Sequence, residues 1–269
     1  MNDADMNEAD MNDRIATDPA QVVQPLPSSD LSANAFADVL ALADDEFVIG
    51  HRHSEWLGLS PFLEEDLTLS SIAQDELGHA RALYRIIWPS WAGREQGLVR
   101  RPTDEWRSCS LTERQSPTWE WSLVRHAVYD TLEPHRWRHL CDVHGPEIES
   151  LEDLVTNVHE EETFHRRHAH DLMIRIGSAN ETARAKLQAA LDDIGPDVDV
   201  AMSTMAGAQA WGPRFLSELT ALCSSAHLAS PSVSTFPTQP GSRRGRHRDF
   251  ASVTESLLAV LTFDPKATW

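Results

Sequence analysis

The chain has 269 residues, is 41% hydrophobic, and carries a formal charge of -19 with three cysteines. That is enough apolar content for a sizeable core, yet no run approaches the ~18 apolar residues of a membrane span. No signal peptide is visible, the acidic excess repels nucleic acid, and Cys109, Cys141 and Cys223 lack the paired spacing of a disulfide framework or zinc ribbon. The expectation is a soluble, cytoplasmic protein with neither membrane nor nucleic acid as partner. Against 42 acids stand 23 basic residues, of which only Lys186 and Lys266 are lysines. An acid-rich, lysine-poor surface points to a high-salt, halophilic cytosol, where screening tames self-repulsion.

In chain order, residues 1–31 hold an acidic near-repeat and a Pro/Ser stretch with few apolar positions, which predicts a disordered tail. Residues 32–269 form one helical domain. The first helix is expected over 32–57 and the second over 61–88. Gly58 should stop the former, while Ser60 caps the latter with Pro61 in its first turn. A long connection with Trp91 and Trp106 covers 89–116. Helices follow over 117–143 and 150–176, the latter opened by a capping box from Ser150 to Asp153. Two further helices are expected at 180–193 and 197–226, then a Pro/Ser/Thr-rich loop and a last helix at 249–262. No strand signal stands out, so the fold class is all-α.

Two Glu-x-x-His pairs, Glu76/His79 and Glu162/His165, lie in otherwise apolar helical stripes. One stripe reads Leu69, Ile72, Glu76, His79, Leu83; the other reads Val155, Val158, Glu162, His165, Ala169. Steps of three and four keep each set on one face. A lone ionised carboxylate is costly to bury, and a metal ion removes that cost by making it a ligand. A di-metal bundle needs one more carboxylate on each of two partner helices. Glu46 lies 30 residues before Glu76 and is mirrored about Pro61. Asp130 lies 32 residues before Glu162 and is mirrored about Pro146. Glu133, one turn from Asp130 on the same face, fits as well. The pattern of carboxylate, turn and Glu-x-x-His thus occurs twice.

These segments resemble a known family. Ala43-Asp-Asp-Glu-Phe-Val-Ile-Gly-His-Arg-His-Ser-Glu-Trp56, Gln74-Asp-Glu-Leu-Gly-His-Ala-Arg81, Tyr129-Asp-Thr131 and Glu161-Glu-Thr-Phe-His165 are similar to the ferritin-like subunits of phenylacetyl-CoA epoxidases. The segment Gly241–His247 and the terminal Ala267-Thr-Trp269 resemble that family's C-type subunit. The resemblance implies a ferritin-like four-helix bundle with additional C-terminal helices. It also implies two iron ions, manganese being the other metal such ligands serve. Glu76 and Glu162 would bridge, Glu46 and Asp130 (alternate Glu133) would be terminal, and His79 and His165 would each take one ion. The C-type subunit is usually a structural partner that has lost ligands, whereas this chain keeps a catalytic-type set. The interval to Glu162 fits Glu133 in the family pattern, and Ile72 stands where the catalytic subunit tends to carry Lys.

The implied activity is oxygen insertion into an aromatic acyl-CoA ring. The partners are other subunits of a multicomponent oxygenase and an electron-transfer reductase, in a homo- or hetero-oligomer. No Gly-x-Gly-x-x-Gly or Cys cluster supplies electrons in this chain. The competing readings are a non-catalytic scaffold subunit, a ferroxidase or iron-storage protein, and a radical protein using Tyr129. The basic island Arg243–Arg248 suits a CoA phosphate or a salt bridge within the complex. His135, His139, His168 and His170 read as solvated helix faces, and Phe47, Leu77 and Phe164 as core packing or pocket lining.

Overall fold

Apolar residues spaced three and four apart, with few interior glycines, dictate helix along most of this chain. The computed structural model describes residues 30–90, 98, 101–233 and 236–263. Eight α-helices are found there: α1 (Ala33–Ser54), α2 (Leu63–Ile87), the single turn α3 (Ser110–Glu113), α4 (Trp119–His144), α5 (Leu151–Ala179), α6 (Glu181–Thr204), α7 (Ala208–Ser225) and α8 (Phe250–Phe263). Among the described residues there is no strand, and no helix is long and apolar enough to cross a membrane. The expected acidic tail and Trp91 lie outside the described residues.

α1 packs against α2, and α4 against α5, as two hairpins; α1 meets α4 and α2 meets α5 to close a four-helix bundle. α6 and α7 cover the outer side of α4 and α5. The bundle interior is filled by Val39, Leu42, Ala43, Leu83, Trp137, Leu140, Leu151 and Val158. A second core joins Val124, Val128 and Leu132 of α4 to Leu187, Leu191, Val198, Phe215 and Leu219 of the added helices. This is the expected all-α bundle with extra C-terminal helices.

Boundaries differ where turn chemistry differs from expectation. α1 ends at Ser54, short of the expected 57, and Gly58 lies further on in the turn at φ 77°, a left-handed conformation that suits glycine. Ser60 does not cap α2; its hydroxyl donates to the Trp56 carbonyl, and Asp66 instead accepts from the Gly58 amide at 2.6 Å. Ser150 precedes α5 with helical backbone angles and makes no capping bond, so the expected capping box is absent. The caps that form are Ser32, Thr118 and Asn180.

The expected break at Gly195-Pro196 is not a break. α6 runs through Pro196 to Thr204. Arg114 braces that turn, donating to the Asp193 carbonyl at 3.0 Å and to the Asp197 carboxylate at 2.6 Å. The chain turns instead at 205–207. The 101–118 connection is anchored by Trp106, buried between Phe47 and Phe250, with the Arg101 guanidinium 4.1 Å from the Trp106 ring centre.

Candidate metal centre

The bundle closes most tightly where α1 and α2 cross. A Cβ on Gly50 would meet the Glu76 Cβ at 3.0 Å and the Ala73 carbonyl at 3.1 Å, so a larger residue there would push α1 away from Glu76 by a few tenths of an ångström. One turn away on α1, Glu46 faces the same space. Glu46, Glu76, His79, Glu133 and Glu162 each direct one ligand atom into a group whose members all lie within 4.8 Å of one another. All five residues are buried. His165 completes the far side, its Nδ1 3.7 Å from Glu76 and 3.5 Å from Glu162. The His79 Nδ1 lies 3.4 Å from Glu46 and 3.3 Å from Glu162.

The inward atoms lack ordinary partners. Both oxygens of Glu76 and Glu162, one oxygen each of Glu46 and Glu133, and Nδ1 of His79 and of His165 are buried without a hydrogen bond. Folded proteins rarely leave so many polar atoms orphaned together, and a bound cation satisfies all of them at once. The residues present therefore fit a carboxylate- and imidazole-bound metal centre.

The outward atoms, by contrast, are held. His79 Nε2 donates to Glu161 at 2.7 Å, and His165 Nε2 donates to Asp75 at 3.2 Å. Fixing the outer N–H leaves Nδ1 free to bind metal. The arrangement is reciprocal. Each Glu-x-x-His is preceded by an acid, and that acid orients the histidine of the other pair. Sequence reasoning missed Asp75 and Glu161, although the signal was present as Asp75-Glu76 and Glu161-Glu162. Two further bonds fix terminal carboxylates: the Tyr129 hydroxyl donates to Glu46 at 2.9 Å, and the Trp137 indole donates to Glu133 at 2.8 Å.

Asp130, the preferred residue of its tied pair, is not among the five grouped residues, although its charge helps to raise His165. It faces His126, Oδ2 to Nε2 2.8 Å, in a buried layer where the His126 ring lies tilted against that of His53 at 4.7 Å between ring centres. Three residues of helix, about 4.5 Å of rise, separate Asp130 from Glu133, so one stands level with Glu162 and the other does not.

Protonation follows burial and charge. Burial, reinforced by Glu162 and Glu46, pushes Glu76 well above the usual carboxylate range. Burial and the same neighbours do likewise to Glu133. For Glu162, burial is outweighed by the imidazoles of His165 and His79 beside it, and its carboxyl is held down at about 2. His165 is raised to about 9 because Glu162 outweighs burial, and His79 is also raised, against burial, by Glu162, Glu46 and Glu76. Without metal, protons supply the positive charge that the site demands.

Around this centre lies a shell of buried ion pairs. Asp45 meets both Arg136 and Arg243, Asp44 meets Arg101 and the Tyr84 hydroxyl, and Glu113 meets Arg246. Two arginines of the basic island are thus spent on intrachain pairs, one with the neighbour of Glu46. The four histidines expected on solvated faces are half-buried and have neighbours there: His135 meets Glu218, His139 lies against Gly207, His168 meets Glu65 and His170 meets Thr131. Phe164, expected in the interior, is exposed and stacks on His168. Phe47 packs on Trp106, and Leu77 lies beside Gly50.

A four-helix bundle with a buried cluster of four carboxylates and two imidazoles has the form of a di-iron carboxylate protein. Over residues 27–269 the chain matches the family described as "Phenylacetic acid catabolic protein", and it belongs to that family. Among curated proteins it is similar to the C-type subunit of 1,2-phenylacetyl-CoA epoxidase from Escherichia coli (strain K12). The two are 24% identical over 178 residues, covering 62% of this chain and 71% of the relative.

Proposed function

We propose that this chain is the di-iron oxygenase subunit of a multicomponent complex like phenylacetyl-CoA epoxidase. The observation that carries this reading is the set of unpartnered ligand atoms converging between the two hairpins. Glu46, Glu76, His79, Glu133, Glu162 and His165 would together hold the two irons, with Glu133 preferred to Asp130 because its carboxylate joins the cluster. A bound two-iron centre supplies dioxygen activation, for insertion of one oxygen atom into the ring of an aromatic acyl-CoA.

The chain's own residues prepare that chemistry. Glu161 and Asp75 fix the tautomer and direction of the two imidazoles. Tyr129 and Trp137 hold the terminal carboxylates in place. Val158, Leu83 and Ile49 exclude water from the surroundings. Electrons would come from a separate reductase, and other subunits would complete the assembly.

A second reading has its own support. The E. coli relative is the C-type member of its complex, which favours a scaffold that retains a metal site without turnover. Elemental analysis with Glu76→Ala and His165→Ala as controls comes first. About two irons per chain, lost in both variants, are expected. Wild-type protein that cannot be loaded with iron or manganese would overturn the metal reading. Two bound irons without thioester-dependent oxygen consumption, even with the partner subunits and reductase present, would select the scaffold.

A further inference from the structure

The ligand atoms of the candidate centre are buried, and a divalent ion cannot cross an apolar wall bare, because an unpaired charge in a low dielectric is too costly. An ion that reaches them needs polar groups along its way. Between α4 and α5 a cavity of about 270 Å³ supplies such groups. Glu152, Thr156, His159 and Glu162 all line it, at steps of four, three and three on one face of α5. The first three are exposed, whereas Glu162 is 1% exposed and neither of its oxygens has a hydrogen-bond partner. The polar row thus begins in solvent and ends on a residue of the cluster. Ten residues of helix separate its ends, about 15 Å, and each step is about 4.5–6 Å.

We infer that this row is the entry route by which divalent ions, iron(II) or manganese(II), reach the centre. Glu152 attracts the hydrated ion at the mouth, and His159 exchanges for one of its waters before Glu162 receives it. Carboxylate and imidazole donors suit these ions. Among the described residues, the Glu152 carboxylate and the His159 imidazole have no hydrogen bond or ion pair that would hold them away. Arg138, also exposed, is the one Arg or Lys of the lining, against the two carboxylates of Glu152 and Glu162. Two other approaches are less suited. A second cavity, of about 200 Å³, is lined by Arg107, Arg136 and Arg243, which repel cations, and includes no residue of the cluster. Glu161 is half exposed beside the centre, but it meets the outer Nε2 of His79, so the imidazole ring stands between it and the inward atoms.

The inference rests on the metal reading under the proposed function, and it concerns the rate of loading rather than its extent. The test mixes the full-length, chelator-treated chain with cobalt(II) in stopped flow, where visible absorption reports entry into a carboxylate and imidazole site. In Glu152→Gln/His159→Ala the second-order rate of uptake should fall about tenfold, the low end of electrostatic steering, while about two ions per chain are still bound at the end. Thr156→Trp puts a bulky cover on an exposed position of the groove and should slow uptake as well. Arg138→Ala should speed it. Asp153→Asn removes the same charge from an exposed neighbour outside the lining, and its rate should stay within about twofold of wild type. Cooperative melting checks that each variant is folded. Wild-type rates in both the double variant and Thr156→Trp, or equal slowing in Asp153→Asn, would overturn the route. Fewer ions bound at equilibrium in the double variant would overturn it too, since Glu152 and His159 would then be ligands of a resting site. A wild-type chain that takes up no ion sinks the metal reading itself, whereas full uptake at an unchanged rate in the variants sinks the route alone.

Discussion

Six side chains carry the proposed chemistry, and their value lies in what their inner atoms lack. Glu133→Ala should lower bound metal by at least half, while Asp130→Ala should leave stoichiometry near wild type; elemental analysis of the two variants decides between these neighbours on one face. The same residues predict a pH response of the metal-free protein. His165 is raised from 6.5 to about 9, so its stabilisation is complete below 6.5 and disappears as pH climbs through 9. The raised carboxyls of Glu76 and Glu133 act in the same direction. Glu162, lowered from 4.5 to about 2, stabilises above 4.5 and loses that effect as pH falls toward 2. Melting temperature of metal-free protein should therefore fall from pH 6 to pH 9. Metal affinity should rise over the same range, because each ion displaces protons. A melting temperature that rises with pH in chelated protein would contradict this account.

At the scale of elements, the site depends on how closely two hairpins fold. Gly50 sets the α1–α2 distance at the level of Glu76. Gly50→Leu should separate these helices, cost about 1–3 kcal/mol by overpacking, and weaken metal binding. Calorimetry and a metal titration check both; a stable variant with unchanged affinity would show that the close approach is incidental. The helices themselves were legible because apolar stripes at three and four are a direct image of a helix face. Glu46, Glu76, His79, Glu162 and His165 were legible for the same reason, as polar breaks in those stripes. The choice between Asp130 and Glu133 was not, since both satisfy the period and only the axial level of α4 against α5 separates them. Proline misled at 196, where Arg114 from a different element braces the turn. Serine misled at 60 and 150, where the hydroxyl finds a carbonyl or makes no capping bond.

The whole molecule adds long-range charge. Asp44 and Asp45 look like a solvated acidic run beside Glu46, yet both are fully buried against arginines far away in sequence. No local signal reveals such pairing. The chain as a whole carries net -19, and repulsion between exposed acids is screened by salt. The screening length shrinks from about 10 Å at 0.1 M to about 3 Å at 1 M. Melting temperature should accordingly rise between those concentrations of sodium chloride. A flat or falling profile would remove the argument for adaptation to high salt.

The clamp on Asp45 also fixes an order of events in synthesis. Its partner Arg243 follows it by 198 residues, and Arg246 follows Glu113 by 133. While a ribosome is still making the intervening helices, α1 and α2 can pair, but the acid beside Glu46 lacks one of its two guanidinium partners. The buried residues of the candidate metal centre likewise come together only once α4 and α5 are made, since Glu133, Glu162 and His165 follow the first hairpin. Chains stalled before residue 243 would hold Asp45 with Arg136 alone of its two guanidinium partners.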